Sequence, residues 1–158
     1  MRHSVTVIVE EPRWKARRGL VAQIRRAAAR ALERGKSRTR KSCALTILLS
    51  DDKKLRTLNR QYRRKNKTTN VLSFPAAPNR DFYLGDVAIA LGAAEKEAGQ
   101  TARRLADHAA HLAVHGVLHL LGHDHERTRE ARKMERLEAK ILAEFGISDP
   151  YELPPNPA

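Results

Sequence analysis

Alternating hydrophobic and polar residues predict four short β-strands in this sequence. Residues 4–9 alternate in this way, and residues 43–49 form an apolar run with the length of one buried strand. Two further runs, 71–74 and 84–90, follow in the middle third of the chain. Pro12 and Pro75 close the first and third runs, because proline cannot donate a hydrogen bond to a sheet.

Apolar residues at helical spacing predict four helices. They cover residues 13–34, a segment that begins at 50–52, residues 101–121 and residues 128–145. Gly35 and Gly122 follow the first and third helices, at the position that glycine favours after a helix C-terminus. Ser50 is the expected capping residue of the second helix, whose inner stripe is predicted to include Leu58 and Tyr62. The inner face of the fourth helix is predicted to carry Met134, Leu137, Ile141, Leu142 and Phe145.

The order of these elements indicates the fold class. Because strands come grouped among helices, we predict an α+β fold with one mixed β-sheet of about four strands packed with helices. The chain of 158 residues has the size of a single domain. We assign residues 1–150 to one domain and residues 151–158 to a loose C-terminal tail.

Composition narrows the protein class. The single cysteine, Cys43, excludes an internal disulfide and a cysteine-rich zinc cluster, and its apolar surroundings predict a buried thiol. A lone cysteine also suits a reducing cytoplasm. The longest apolar run, residues 109–121, carries three histidines and falls short of the ~20 residues that cross a bilayer. We therefore expect a soluble, cytoplasmic protein with no membrane partner.

The charge balance favours an anionic partner. Thirty-one lysines and arginines against 18 acidic residues give a net charge of +13 and a pI near 10.6. Such a balance favours nucleic acid, because each phosphate contact releases condensed counterions. The alternative is a generally cationic, soluble surface, and charge alone does not indicate any chemistry.

Six of the seven histidines lie between residues 108 and 125. His115 and His119 are one helical turn apart, the spacing by which one helix offers two imidazoles to a metal. The chain turns at Gly122, so His125 is placed to return as a third ligand. Three nitrogen ligands leave a fourth tetrahedral position open, as in catalytic zinc sites. The pattern predicts one zinc ion on His115, His119 and His125.

The other residues of this segment leave alternatives open. The alternative to a metal site is that these histidines are ordinary side chains on a buried helix. His111 either packs, lines the pocket or supports a ligand through a hydrogen bond. Asp124 either orients a ligand imidazole or caps the next helix, and His123 is expected to face solvent. Gly116 stands where helical zinc peptidases carry a glutamate that acts as a general base, which weakens the hypothesis that this protein is a peptidase. A glycine at this position indicates close packing or access for a bulky substrate.

The segment from His115 to His125, HGVLHLLGHDH, resembles the signature of the YbeY family of bacterial rRNA-maturation endoribonucleases. Two further stretches agree with it, 58–63 running into 69–75, and 84–89. The similarity covers roughly residues 45–145. Ala90, where serine is often found, and Arg64, where glycine is common, depart from the pattern without touching a predicted ligand.

The resemblance implies an α+β fold, three-histidine zinc binding and a functional arginine, which falls on Arg63. It implies a metal-dependent, single-strand-specific endoribonuclease acting in late 16S rRNA 3′-end maturation and ribosome quality control. The implied partners are the small-subunit rRNA precursor and the ribosome or small-subunit assembly factors, with no DNA expected. The rival function is a non-enzymatic rRNA-binding assembly factor with a structural zinc.

Arg63 also has a reading that is independent of the resemblance. The sequence places it in an exposed loop after the second helix, where a charged residue is usually only solvated. A guanidinium can hold a phosphate through two hydrogen bonds and stabilise charge in a transition state. Lys65 and Lys67 nearby would add sequence-independent affinity for an RNA backbone.

Overall fold

One four-stranded sheet organises the chain in the computed structural model, which describes residues 3–35, 42–63, 69–123 and 127–152. The strands are β1 (Ser4–Val9), β2 (Ala44–Ser50), β3 (Val71–Pro75) and β4 (Tyr83–Ala90). Their order is β1-β2-β4-β3; β1 and β4 run parallel to β2, and β3 runs antiparallel to β4. The predicted α+β class with one mixed sheet is confirmed.

Helices lie on both faces of this sheet. They are α1 (Leu20–Arg34), α2 (Asp52–Arg63), α3 (Leu91–Gln100), α4 (Leu105–Leu120) and α5 (Thr128–Ala143), with a 3-10 helix at Pro12–Ala16. The predicted helix over 13–34 is divided, because Gly19 has a φ of +80° and stands between its two parts. Helix α3 was not predicted, since two of its three buried residues are alanines and its hydrophobic stripe is faint.

The main core lies between the sheet and the helices α1 and α4. Leu45, Ile47 and Leu49 of β2 point into it, and all three are at most 1% exposed. Alternate residues of the sheet point to the other face, where Ala88 and Leu72 form a smaller cluster with α2. The twofold alternation of strand side chains therefore produces two cores of unequal size.

Helix α2 begins and ends differently from the prediction. Asp51, and not Ser50, caps it, because the Asp51 Oδ1 accepts the backbone N–H of Lys54 at 2.7 Å. Tyr62 was predicted to face inward, but it is 69% exposed. The helix includes Arg63, so the backbone there is helical and not part of a loop; the Arg63 side chain lies outside the described residues.

Two expectations from composition have structural counterparts. Cys43 is 2% exposed, which confirms the buried thiol. Within the four described ranges, no helix combines the length and the apolar character needed to cross a membrane. The described part of the C-terminal segment ends at residue 152, and within it the Tyr151 hydroxyl donates a hydrogen bond to Glu138 of α5.

Replacing Trp14 tests how the 3-10 helix is attached to β2. The indole N–H of the fully buried Trp14 donates to the Ser50 carbonyl at 2.9 Å. Trp14→Phe would leave that carbonyl without its donor, which typically costs about 1–3 kcal/mol. We expect the free energy of unfolding, measured by circular dichroism in urea, to fall by that amount. Arg13→Ala, at an exposed neighbour, is the control and should have a far smaller effect; an equal loss would contradict this assignment.

Candidate metal centre

Two imidazoles of α4 converge on one point. The Nε2 atoms of His115 and His119 are 3.1 Å apart, and their ring centroids are separated by 4.6 Å. Two nitrogens that bind one tetrahedral zinc at ~2.0–2.1 Å lie about 3.3 Å from each other. The observed separation of 3.1 Å is close to the one that two ligands of a shared ion require.

Gly116, between these histidines, is the point at which α4 meets the sheet. A Cβ atom added there would lie 2.5 Å from Cγ1 of Val87 and 3.2 Å from Oγ of Ser73. The Ser73 hydroxyl donates to the Gly116 carbonyl at 3.0 Å. Of the two roles that the sequence left open for this glycine, the structure supports close packing.

The chain reverses immediately after α4. Gly122 has a φ of +96°, and the His123 N–H donates to the Leu118 carbonyl at 3.0 Å, which closes the helix as predicted. The His123 ring hydrogen-bonds through Nε2 to the Gly35 carbonyl at 3.0 Å, so the expectation that it faces solvent was wrong.

The third predicted ligand, His125, and its neighbour Asp124 lie outside the described residues. The part of the chain that the structure describes contains no group of three or more histidine, cysteine or acidic side chains arranged to hold a metal. The structure thus brings together His115 and His119, and the three-histidine set stays a prediction.

A buried carboxylate contacts one histidine of this pair. Glu138 of α5 is 0% exposed. Its Oε1 lies 2.6 Å from Nδ1 of His115, and its Oε2 lies 2.9 Å from Nε2 of His111. The hydroxyl of Tyr151 donates to the same Oε2. One carboxylate therefore joins two histidines of α4 to the C-terminal segment.

These donors keep the Glu138 carboxylate charged. Burial alone would raise the pKa of Glu138, but the hydrogen bonds from His111, His115 and Tyr151 outweigh burial and lower this pKa to about 2. Burial and the neighbouring carboxylate together raise the pKa of Tyr151, so its hydroxyl keeps its proton as the donor. The low pKa of Glu138 favours its ionised form beside His115.

Sequence reasoning missed Glu138, although a signal for it was present. It lies four residues after Met134 and three before Ile141, on the inner stripe of α5. A charged residue at such a position is almost never buried without partners. His111 contacts the same carboxylate, whereas His108 pairs with Glu97 at 2.7 Å.

The end of α2 lies across the edge strand β3 from this cluster. Ser73 of β3 faces α4, whereas the next residue, Phe74, packs edge-to-face against Tyr62 with ring centroids 5.5 Å apart. A cavity of about 550 Å³ opens here and is lined by residues that include Tyr62, Ser73 and Phe74. Arg63 directly follows Tyr62 and is the last residue of α2.

Comparisons with known proteins agree on one family. The model of the family described as Endoribonuclease YbeY matches residues 13–146. A Maricaulis maris protein of that name is 41% identical over 149 residues, covering 94% of this chain and 92% of the relative. One from Azorhizobium caulinodans is 45% identical over 155 residues, covering 95% and 97%. A solution structure from Thermotoga maritima, 18% identical, aligns with a TM-score of 0.59 over 94% of this chain and 99% of that chain, which shows the shared fold.

Substituting Gly116 tests how tightly α4 packs against the sheet. Gly116→Ala forces a methyl group against Val87, a stiff β-branched side chain that is fully buried. Overpacking of this kind costs about 1–3 kcal/mol, and we expect that loss in urea unfolding. Gly99→Ala is the matched control, because a Cβ there meets nothing within 4 Å. Equal stability of the two variants would show that the contact is easily relaxed.

Proposed function

This chain belongs to the endoribonuclease YbeY family, and on that premise we propose that it is a zinc-dependent, single-strand-specific endoribonuclease. Its proposed role is late maturation of the 16S rRNA 3′ end and ribosome quality control. The observation that carries the metal-dependent part is the convergence of the Nε2 atoms of His115 and His119 at 3.1 Å. Relatives that bear the name endoribonuclease support the RNA substrate.

The proposed ligands of one zinc ion are His115, His119 and His125. The 3.1 Å separation of the first two Nε2 atoms supports a shared ion, and the chain reverses at Gly122, three residues before the third in sequence. When bound, zinc supplies a Lewis acid that polarises a phosphoryl oxygen or lowers the pKa of water. Glu138 holds the His115 ring from its far side, and Gly116 leaves no room for a side chain against the sheet.

Arg63 is the proposed catalytic residue beside the metal. Its backbone ends α2 next to Tyr62, which packs on Phe74 of β3, the strand that also contacts Gly116 through Ser73. The proposed role of the guanidinium is to bind a phosphate oxygen and to stabilise the charge that develops there during cleavage.

The net charge of +13 supports a polyanionic partner. We propose that the partners are the small-subunit rRNA precursor and the ribosome or its assembly factors, without DNA or a membrane. The proposed location is the cytoplasm, where this RNA is processed. Exposed basic residues would supply affinity that does not depend on RNA sequence.

Removing one imidazole tests the metal site. His119→Ala should lose stoichiometric zinc and cleavage of single-stranded RNA together, because a two-histidine remnant binds zinc weakly. His108→Ala is the control on the same helix, since its ring pairs with Glu97 away from the site. Metal analysis and a nuclease assay on precursor rRNA give the result. Zinc retained in full by His119→Ala would overturn the ligand assignment.

Chelation distinguishes the enzyme from a non-enzymatic assembly factor. If the zinc is catalytic, a chelator should abolish RNA cleavage while circular dichroism still reports a folded chain, because the sheet and its cores do not include the metal ligands. If the zinc is structural, the chain should unfold on chelation. A folded, zinc-loaded protein that does not cleave RNA would contradict the enzymatic proposal.

Replacing Arg63 separates binding from chemistry. Arg63→Ala should lower single-turnover cleavage by ~10²–10³, with much smaller changes in RNA affinity, zinc content and melting temperature. Arg63→Lys should restore only part of the rate, because an ammonium lacks the planar fork of donors. Arg60→Ala, at an exposed position on the same helix, is the matched control. A wild-type rate in Arg63→Ala would remove this residue from the active site, and an affinity loss equal to the rate loss would make it a binding residue.

A further inference from the structure

Glu138 occupies a position where folding alone favours an apolar side chain. Its neighbours on the inner stripe of α5, Met134 and Ile141, are each 1% exposed, and Leu142 is fully buried. Burying a carboxylate costs free energy unless it is paired and hydrogen-bonded. Among the described residues, it is the only buried acidic side chain. The presence of Glu138 at this buried position therefore points to a role other than packing.

The partners of the carboxylate indicate what that role is. Three side chains converge on it within hydrogen-bond distance: His111, His115 and Tyr151. No lysine or arginine in the described ranges forms an ion pair with it. The charge is thus directed at the imidazoles of α4 and not at a surface cation.

The contact with His115 determines which nitrogen carries the hydrogen. Oε2 of Glu138 already receives the Tyr151 hydroxyl, and Oε1 lies 2.6 Å from Nδ1 of His115, so the arrangement assigns the hydrogen of this second contact to Nδ1. The lone pair of this neutral ring is then on Nε2, the atom that lies 3.1 Å from Nε2 of His119. A hydrogen on Nδ1 and a lone pair on Nε2 is the form in which an imidazole binds a metal through Nε2.

The other two partners hold the carboxylate in place. His111 and Tyr151 both contact Oε2, at 2.9 Å for the His111 Nε2, which leaves Oε1 to His115 alone. Tyr151 reaches the site from beyond the end of α5 and also contacts His111, at 3.2 Å. Tyr151 of the C-terminal segment therefore holds the Glu138 carboxylate, which in turn contacts His115.

We propose that Glu138 is the positioning residue of this metal centre, fixing His115 with its hydrogen on Nδ1 and its Nε2 lone pair toward the ion, while His111 and Tyr151 lock the carboxylate. The inference rests on the proposed zinc site and adds to it a residue outside the ligand set. Partners of this kind fix ring orientation and raise ligand basicity, and their loss typically costs about 10- to 100-fold in metal affinity.

The test compares Glu138→Leu, which removes the acceptor, with Glu138→Gln, which keeps the shape without the charge. Zinc affinity, measured by competition with a chromophoric chelator, should fall about 10- to 100-fold in Glu138→Leu and by less in Glu138→Gln. Glu130→Gln is the matched control, because Glu130 is exposed on the same helix. An unchanged zinc affinity in a folded Glu138→Leu protein would overturn the proposal; if that variant does not fold, an unchanged affinity in Glu138→Gln would overturn it.

A second readout excludes a merely structural role. In metal-free wild type, long-range ¹H–¹⁵N NMR should show His115 with its hydrogen on Nδ1, and Glu138→Leu or Glu138→Gln should reduce the share of that tautomer. An unchanged tautomer would contradict the proposal even if stability fell. His119→Ala distinguishes the two levels of inference. If His119→Ala retains zinc in full, the proposed metal site itself is wrong. If His119→Ala loses zinc but both Glu138 variants bind zinc with wild-type affinity, only the role proposed for Glu138 is wrong.

Discussion

Helix α4 approaches the sheet so closely at Gly116 that a single methyl group there would lie 2.5 Å from Cγ1 of Val87. The hydroxyl of Ser73 secures this approach by donating to the Gly116 carbonyl. His115 and His119 lie on either side of this contact in the helix, so the contact determines where their side chains lie. Interiors packed at this density transmit small displacements, so the geometry of the two imidazoles depends on the fit between one glycine and β4.

The same helix is held on its other side by α5. The Glu138 carboxylate bonds to His111 and His115, so the polar network and the apolar packing act on the same turns of α4. Such networks rigidify a site when every member is satisfied. None of the buried side-chain polar atoms in the described residues lacks a hydrogen-bond partner. This arrangement fixes the position of the His115 imidazole through Glu138.

The edge strand β3 relates the two parts of the candidate site. Ser73 faces α4, and Phe74 faces α2, because neighbouring residues of a strand point to opposite sides of the sheet. The histidine pair and the end of α2 therefore flank a single strand. The cavity lined by Tyr62 and Phe74 opens beside this edge.

The sequence by itself determined the strands, the helix that carries the histidines and the pairing of His115 with His119, because periods of two and of 3.6 residues and a spacing of four are local properties. It also pointed to the family through the segment 115–125. Tertiary structure alone decided that Tyr62 is exposed and that His123 bonds to Gly35, since each depends on elements distant in sequence. Glu138 belongs to this second group, because its partners lie on α4 and at Tyr151, and only packing brings a charge on an apolar stripe to a histidine 23 residues away.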